Sequence, residues 1–410
     1  MKIQFLILSL ILGSAPFAFS AETIKIVSSL PRTGSSNAQT TSMVNGIRMA
    51  LEEVKYKAGA FEVKYEDWDD ASAKKGDWDP EVEASNADRA IKDTNVLAYI
   101  GTYNSGAAKI SMPLLNKANL LMISPANTYP GLTKPGKGEP NEPSVYRPSG
   151  KVNYFRVVPA DDIQGMVGAD WATSMGMKKV YILDDRGLYG KGISDVFEAR
   201  AEEIGMEVLG HEGIDPKAQE YKGLMTKIKS FHPDMIYFGG TTQTSGGQLA
   251  KDMKSVGLKA KLMVPDGCFE TAFIQAAGAD NVNDMTYVTF GGLPPSKLVG
   301  AGAEFYKKYK AKYTAEPEGY AVYGYEAAKV ALEAIRRAGK KDREAVRVAM
   351  TQVKDFEGAL GHWGFDQNGD TTLTTMSGHI IKNGKFEFVA LLGNPNIVKP
   401  AATSKKSNPS

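Results

Sequence analysis

The chain has 410 residues, 42% hydrophobic and 23% charged, with 49 basic against 47 acidic side chains and a formal net charge of +2. That length exceeds one ordinary hydrophobic core and predicts a soluble protein of two domains. Charges of both signs are interspersed, which excludes the basic stripe of a nucleic-acid binder and a polybasic membrane face.

Residues 1–20 read as a secretory signal: Lys2, the apolar run Ile3–Leu12, then Gly13–Ser20 with Ala18 and Ser20 as the small residues before a cut. Cleavage is expected between Ser20 and Ala21, with a periplasmic mature protein. The apolar run is too short to span a bilayer, which needs about 20 residues. The single cysteine, Cys268, can form no internal disulfide, so stability must come from packing. His211, His232, His362 and His379 lack zinc-ligand spacing, and no cofactor is expected.

In chain order, Thr23–Ser28 predicts a strand, Leu30–Thr40 a loop, and Met43–Tyr56, with Val44, Ile47, Leu51 and Val54 at helical spacing, a helix. Phe61–Tyr65 follows as a strand, Glu66–Glu83 as a solvated acidic loop with a doubled Asp-Trp-Asp, and Ser85–Lys92 as a helix. Val96–Ile100 and Leu120–Ile123 read as buried parallel strands joined by a crossover helix, Ala107–Ala118. Each strand ends in a polar turn, Tyr103-Asn104-Ser105-Gly106 and Ser124-Pro125-Ala126-Asn127-Thr128. Ligands of open parallel sheets sit at such carboxyl ends, so the two turns form a candidate pocket for a small anion.

Thr133–Gly150, dense in Pro and Gly, predicts an irregular loop, and Tyr154–Val158 a strand. Helix and strand then alternate from Gly165 to Val264, with strands at Lys179–Asp184, Met206–His211, Met235–Gly239 and Lys261–Val264. After a strand at Met285–Phe290 come helices at Ser296–Tyr313, Ala321–Ala338 and Asp342–Val353, and a pair of hairpins between Gly361 and Val389. Two comparable βα blocks imply an α/β protein of two doubly wound parallel sheets.

In the second block, polar turns follow Lys179–Asp184, Met235–Gly239 and Lys261–Val264; they contain Tyr189, Thr241 and Asp266. If the domains face one another, hydroxyls and helix N-terminal amides oppose an acid and a phenol. That suits a zwitterion: Ser105 and Thr128 donate to a carboxylate and Asp266 faces an ammonium. Each is equally an ordinary cap or turn residue. Asp366-x-Asn368-Gly369-Asp370 has its glycine misplaced for a calcium loop and reads as a turn.

The ordered motifs IKIVSSLPRTG, YIGTYNSGAA, LLMISPANT, YFRVVPADDIQG, VYILDDRGLYGKG, VPDG and GYAVYGYEAA resemble the periplasmic substrate-binding proteins of branched-chain amino acid ABC transporters. The resemblance runs from about Ile24 to about Val389. It implies the type I periplasmic binding protein fold, two lobes joined by a three-crossing hinge near Phe155–Pro159, Phe290–Pro294 and Gly358–Gly364. The implied lobes are 21–155 with 291–360, and 156–290 with 361–399, before a disordered tail at 400–410. It further implies a non-enzymatic, monomeric carrier that holds an amino acid and delivers it to an ABC permease. Matching residues place Ser105 at the ligand carboxylate, with Asn104 in the same turn, and Ala126 and Thr128 at its backbone groups. Tyr189 is the second-lobe tyrosine and Asp266 the ammonium partner. Gln39 is expected in the side-chain pocket, with Tyr320 and Tyr323 on its far side. The competing readings are an amide, urea-like or aromatic-acid ligand, a sensor, and an exported serine hydrolase using Ser105.

Overall fold

The computed structural model describes residues 21–393; the expected signal peptide and tail lie outside them. Two sheets organise the chain. The first runs Lys57–Ala58, Phe61–Asp69, Thr23–Leu30, Val96–Gly101, Leu121–Ser124, Tyr154–Arg156, all parallel except its short first strand. Every residue of Val96–Gly101 is buried, because helices cover both faces of a central strand and leave no side for polar residues. The second sheet runs Glu207–Gly213, Lys179–Asp184, Met235–Gly239, Lys261–Val264, Thr286–Gly291, and then the antiparallel hairpin Met376–Lys382/Lys385–Leu392.

Helix Ala321–Ala338 returns to the first sheet and packs along helix Asn37–Glu53. Two glycines permit the close approach. A Cβ on Gly46 would stand 2.1 Å from the Ala321 carbonyl oxygen, and one on Gly324 would stand 2.4 Å from that of Met43. No described helix is long and apolar enough to cross a membrane.

Three local expectations change. The acidic stretch after Tyr65 is no free loop: the strand continues to Asp69 in register with Thr23–Leu30, and Ala71–Ser72 and Asp77–Trp78 form a small hairpin. Helix Pro80–Lys92 starts earlier than its apolar pattern, because Asp79 caps it by accepting from the Glu81 amide at 3.0 Å and Pro80 occupies its first turn. The chain also re-enters the second sheet at Met376 and not at Gly361. The hairpin Phe356–Gly358/Gly361–Trp363 stays on helix Ala321–Ala338, where Trp363 Nε1 donates to Glu326 at 2.9 Å.

Just past that lengthened strand, Asp70 is fully buried and neither carboxylate oxygen has a hydrogen-bond partner. Nearby Glu83, equally buried, accepts from Ser29 at 2.5 Å and Tyr99 at 2.9 Å. Burial, then the charge of Glu83, pushes the Asp70 carboxyl well above its ordinary range, and burial lifts Glu83 to about 7. The contribution of Asp70 to stability is complete below its ordinary pKa of 3.8 and is lost as pH rises through the raised folded value. Asp70→Asn, a neutral isostere, should raise Tm at pH 8 by roughly 2 °C or more and change little at pH 3.5. An unchanged Tm at pH 8 would show that the fold does not raise the Asp70 carboxyl.

Candidate functional site

A cavity of about 300 Å³ lies between the carboxyl ends of the two sheets. The strand-to-helix turns of both blocks reach it, as expected for open parallel sheets. On the first wall stand Tyr103, Asn104, Ser105 and Ala126; on the second, Asp185, Tyr189, Thr241 and Asp266; Tyr320 closes one end. The lobes touch around it. Gln243 Nε2 donates to the Ser35 carbonyl at 3.3 Å, Gln39 Nε2 to that of Phe269 at 3.4 Å, and the Tyr320 hydroxyl to Asp266.

Ser105 is the first residue of helix Ser105–Lys117, so the free N–H groups of that helix open toward the cavity beside its hydroxyl. Its Oγ accepts from the Tyr129 amide at 3.4 Å, which ties the first polar turn to the second. Thr128 Oγ1, Asn104 Oδ1 and the Tyr103 hydroxyl are buried without partners. Unpaired buried groups of this kind are costly unless something satisfies them.

On the opposite wall, Asp266 lies in a short 3-10 turn after Lys261–Val264 and is 3% exposed. Its carboxylate accepts from Tyr320, from Tyr189 at 2.7 Å and from Gln164 Nε2 at 2.9 Å. Burial raises its pKa, and these donors, Tyr320 foremost, pull against the rise. Tyr189, near the start of helix Leu188–Glu203, also accepts from the Gly267 amide at 3.0 Å, which locks its phenol between backbone and acid. Asp161 is fully buried close by, both carboxylate oxygens unpartnered; burial and then the Asp266 charge push its pKa well up.

Of the nine residues expected at the site, Asn104, Ser105, Ala126, Tyr189, Asp266 and Tyr320 line the cavity. Thr128 is buried behind the wall. Gln39 does not face the pocket: its amide spans from the Phe269 carbonyl to the Tyr320 amide, because it is buried on the helix Asn37–Glu53 face that meets the second lobe. Tyr323 is likewise outside the wall, since its hydroxyl donates to the Gly291 carbonyl at a chain crossing. Two lining residues, Asp77 and Trp78, come from the acidic stretch that reads as solvated. The tryptophan was the available signal, because an indole in a free loop would gain nothing from burial. Gln164 was also missed, and nothing local marks it.

Packing further assembles Asp195, Glu198 and His211 with ligand-type atoms within 4.8 Å of one another. Charge partners account for the group: Lys191 pairs with Asp195, and His211 bridges Glu198 and Asp184.

The periplasmic binding protein family matches residues 23–384. The chain belongs to that family. This periplasmic binding protein is 28% identical over 379 residues to a Leu/Ile/Val-binding protein of Rhizobium johnstonii, covering 92% of this chain and 95% of the relative. Among solved structures, the leucine-binding protein LivK of Thermotoga maritima superposes with a TM-score of 0.80 at 28% identity, covering 91% of this chain and 99% of that one. The branched-chain amino acid transporter substrate-binding protein LivJ of Streptococcus pneumoniae, solved with isoleucine, shares the fold at a TM-score of 0.78 and 24% identity, over 91% and 100% of the two chains. These relatives are substrate-binding proteins, and this chain, as a periplasmic binding protein, is not an enzyme.

Proposed function

We propose that this periplasmic binding protein captures a free α-amino acid between its lobes and delivers it to an ABC permease. The observation that carries the reading is the opposition, across one cavity, of the buried Asp266 carboxylate and the amino-terminal end of helix Ser105–Lys117. A zwitterion satisfies both at once. Its ammonium pairs with Asp266, steadied by Tyr189, while Ser105 and helix amides receive its carboxylate and the Ala126 carbonyl accepts from its ammonium. Asn104 and Tyr320 close the sides. Contacts on both walls favour the closed arrangement, and closure is what a permease reads. Relatives named as Leu/Ile/Val-binding proteins support an amino acid as cargo. The export signal read in the first twenty residues supports a periplasmic carrier.

The same fold also holds other ligands: a solute-binding protein of Rhodopseudomonas palustris, 18% identical with a TM-score of 0.75, was solved with benzoate. A thermal-shift screen of the mature protein separates the cases. Amino acids at 100 times Kd should stabilise it by about 2.7 kcal/mol. A shift with aromatic acids or amides and none with amino acids would overturn the proposal.

A further inference from the structure

The charges of the cavity do not balance for an aliphatic amino acid. Its lining residues include three carboxylates, Asp77, Asp185 and Asp266, and one cation, Arg186. Each carboxylate is met by neutral donors: Asp77 by the Ser36 hydroxyl at 3.1 Å, Asp185 by the Gly187 amide at 2.8 Å, Asp266 by two phenols and an amide. Arg186 is turned to the Gly213 carbonyl, which accepts from its Nη2 at 2.7 Å and its Nε at 3.1 Å. A neutral zwitterion brings one ammonium, which Asp266 takes, and one carboxylate, which the first wall takes. Two carboxylates then remain against one guanidinium.

We infer that the ligand is a basic α-amino acid, its side-chain cation received by Asp77. This rests on the amino-acid reading above and names the class of that ligand. Asp185 is the weaker candidate because it is walled in: a Cβ on Gly190 would stand 2.2 Å from its Oδ1, so the first turn of helix Leu188–Glu203 covers it. Asp77 is only partly buried, on the hairpin Ala71–Ser72/Asp77–Trp78, and its bond to Ser36 joins that hairpin to the loop ahead of helix Asn37–Glu53. Burial raises the carboxyls of Asp77 and Asp185, the latter to about 6, a penalty that a bound cation relieves. The Asp77 neighbour Trp78 and Tyr103, which line the same cavity, give apolar walls for a methylene stem and faces that attract a cation. Trp78 is held in place by the missing side chain of Gly106, where a Cβ would stand 2.7 Å from its ring.

The test is calorimetry of the mature protein with L-lysine, L-arginine and L-norleucine, the last an uncharged analogue of the lysine stem. Lysine or arginine should bind at least about tenfold more tightly than norleucine. Asp77→Asn should bring the ratio close to one, and Asp77→Glu should keep the preference. Norleucine binding as tightly as lysine would overturn the basic-ligand inference and leave the amino-acid reading standing. A lysine preference that survives in Asp77→Asn would overturn the role of Asp77. Failure of every amino acid to bind would remove the reading beneath both.

Discussion

Asp266→Ala should abolish amino-acid binding measured by calorimetry, a loss of about 2–5 kcal/mol or more. The expectation follows from burial. An ammonium removed from water into the cleft loses its hydration, and Asp266 is the anion placed to replace it, held by Tyr189, Tyr320 and Gln164. Asp266→Asn keeps the shape and removes the charge, so it should lose nearly as much; a small loss there would mean that the site reads geometry and not charge. The same carboxylate predicts a pH dependence. Burial raises its pKa, so on acidification it takes up its proton at a higher pH than an ordinary aspartate near 3.8, and affinity should fall across that range. Retained affinity in Asp266→Ala would sink the ammonium assignment, whatever the ligand's side chain.

Arg156→Ala should destabilise the protein by about 3–5 kcal/mol, read as a lowered midpoint in urea with an unchanged slope. Arg156 is fully buried and donates to Asp370 at 2.6 Å, to the Asn127 carbonyl at 3.1 Å, to the Tyr129 carbonyl at 2.8 Å and to Thr133. One guanidinium thus ties the last strand of the first sheet to the turn holding Ala126 and Thr128 and to the chain between Phe365 and Met376. Its removal leaves Asp370 charged and unpaired in the interior. Burial pushes the Asp370 carboxyl up, but the charge and hydrogen bond of Arg156 outweigh it and hold it below the usual range. The stability of the pair is therefore present above the ordinary value of 3.8 and lost as pH falls through the lower folded value. Arg156→Lys should recover little, since a single ammonium cannot supply the planar fork. An Arg156→Met/Asp370→Leu double variant should be more stable than Arg156→Ala, because it removes the orphaned charge. Equal stability of the two would place the cost elsewhere.

The legible parts of the chain were those that local physics decides. Val96–Ile100 reads as a central strand because burial on both faces demands an unbroken apolar run, and Ala321–Ala338 reads as a helix from its spacing. The acidic stretch reads as a loop for the converse reason: from Glu66 to Asp69 only Trp68 is apolar, and the segment extends a strand because Val27–Leu30 offers it four paired partners. Gln39 lies in a stretch that reads as loop and folds as the first turn of helix Asn37–Glu53, and its side chain serves the lobe contact, which no window of sequence contains.

By itself the sequence determined that there are two βα blocks, that polar turns follow their strands, and that Ser105 and Asp266 belong to such turns, because hydrophobic period and turn chemistry act over a few residues. Only the tertiary structure decided which turns share a cavity, that Asp77 and Trp78 enter it, and that Thr128, Gln39 and Tyr323 stand behind it. Those outcomes depend on which lobe faces meet across the cleft, a long-range balance of burial and charge between residues far apart in the chain.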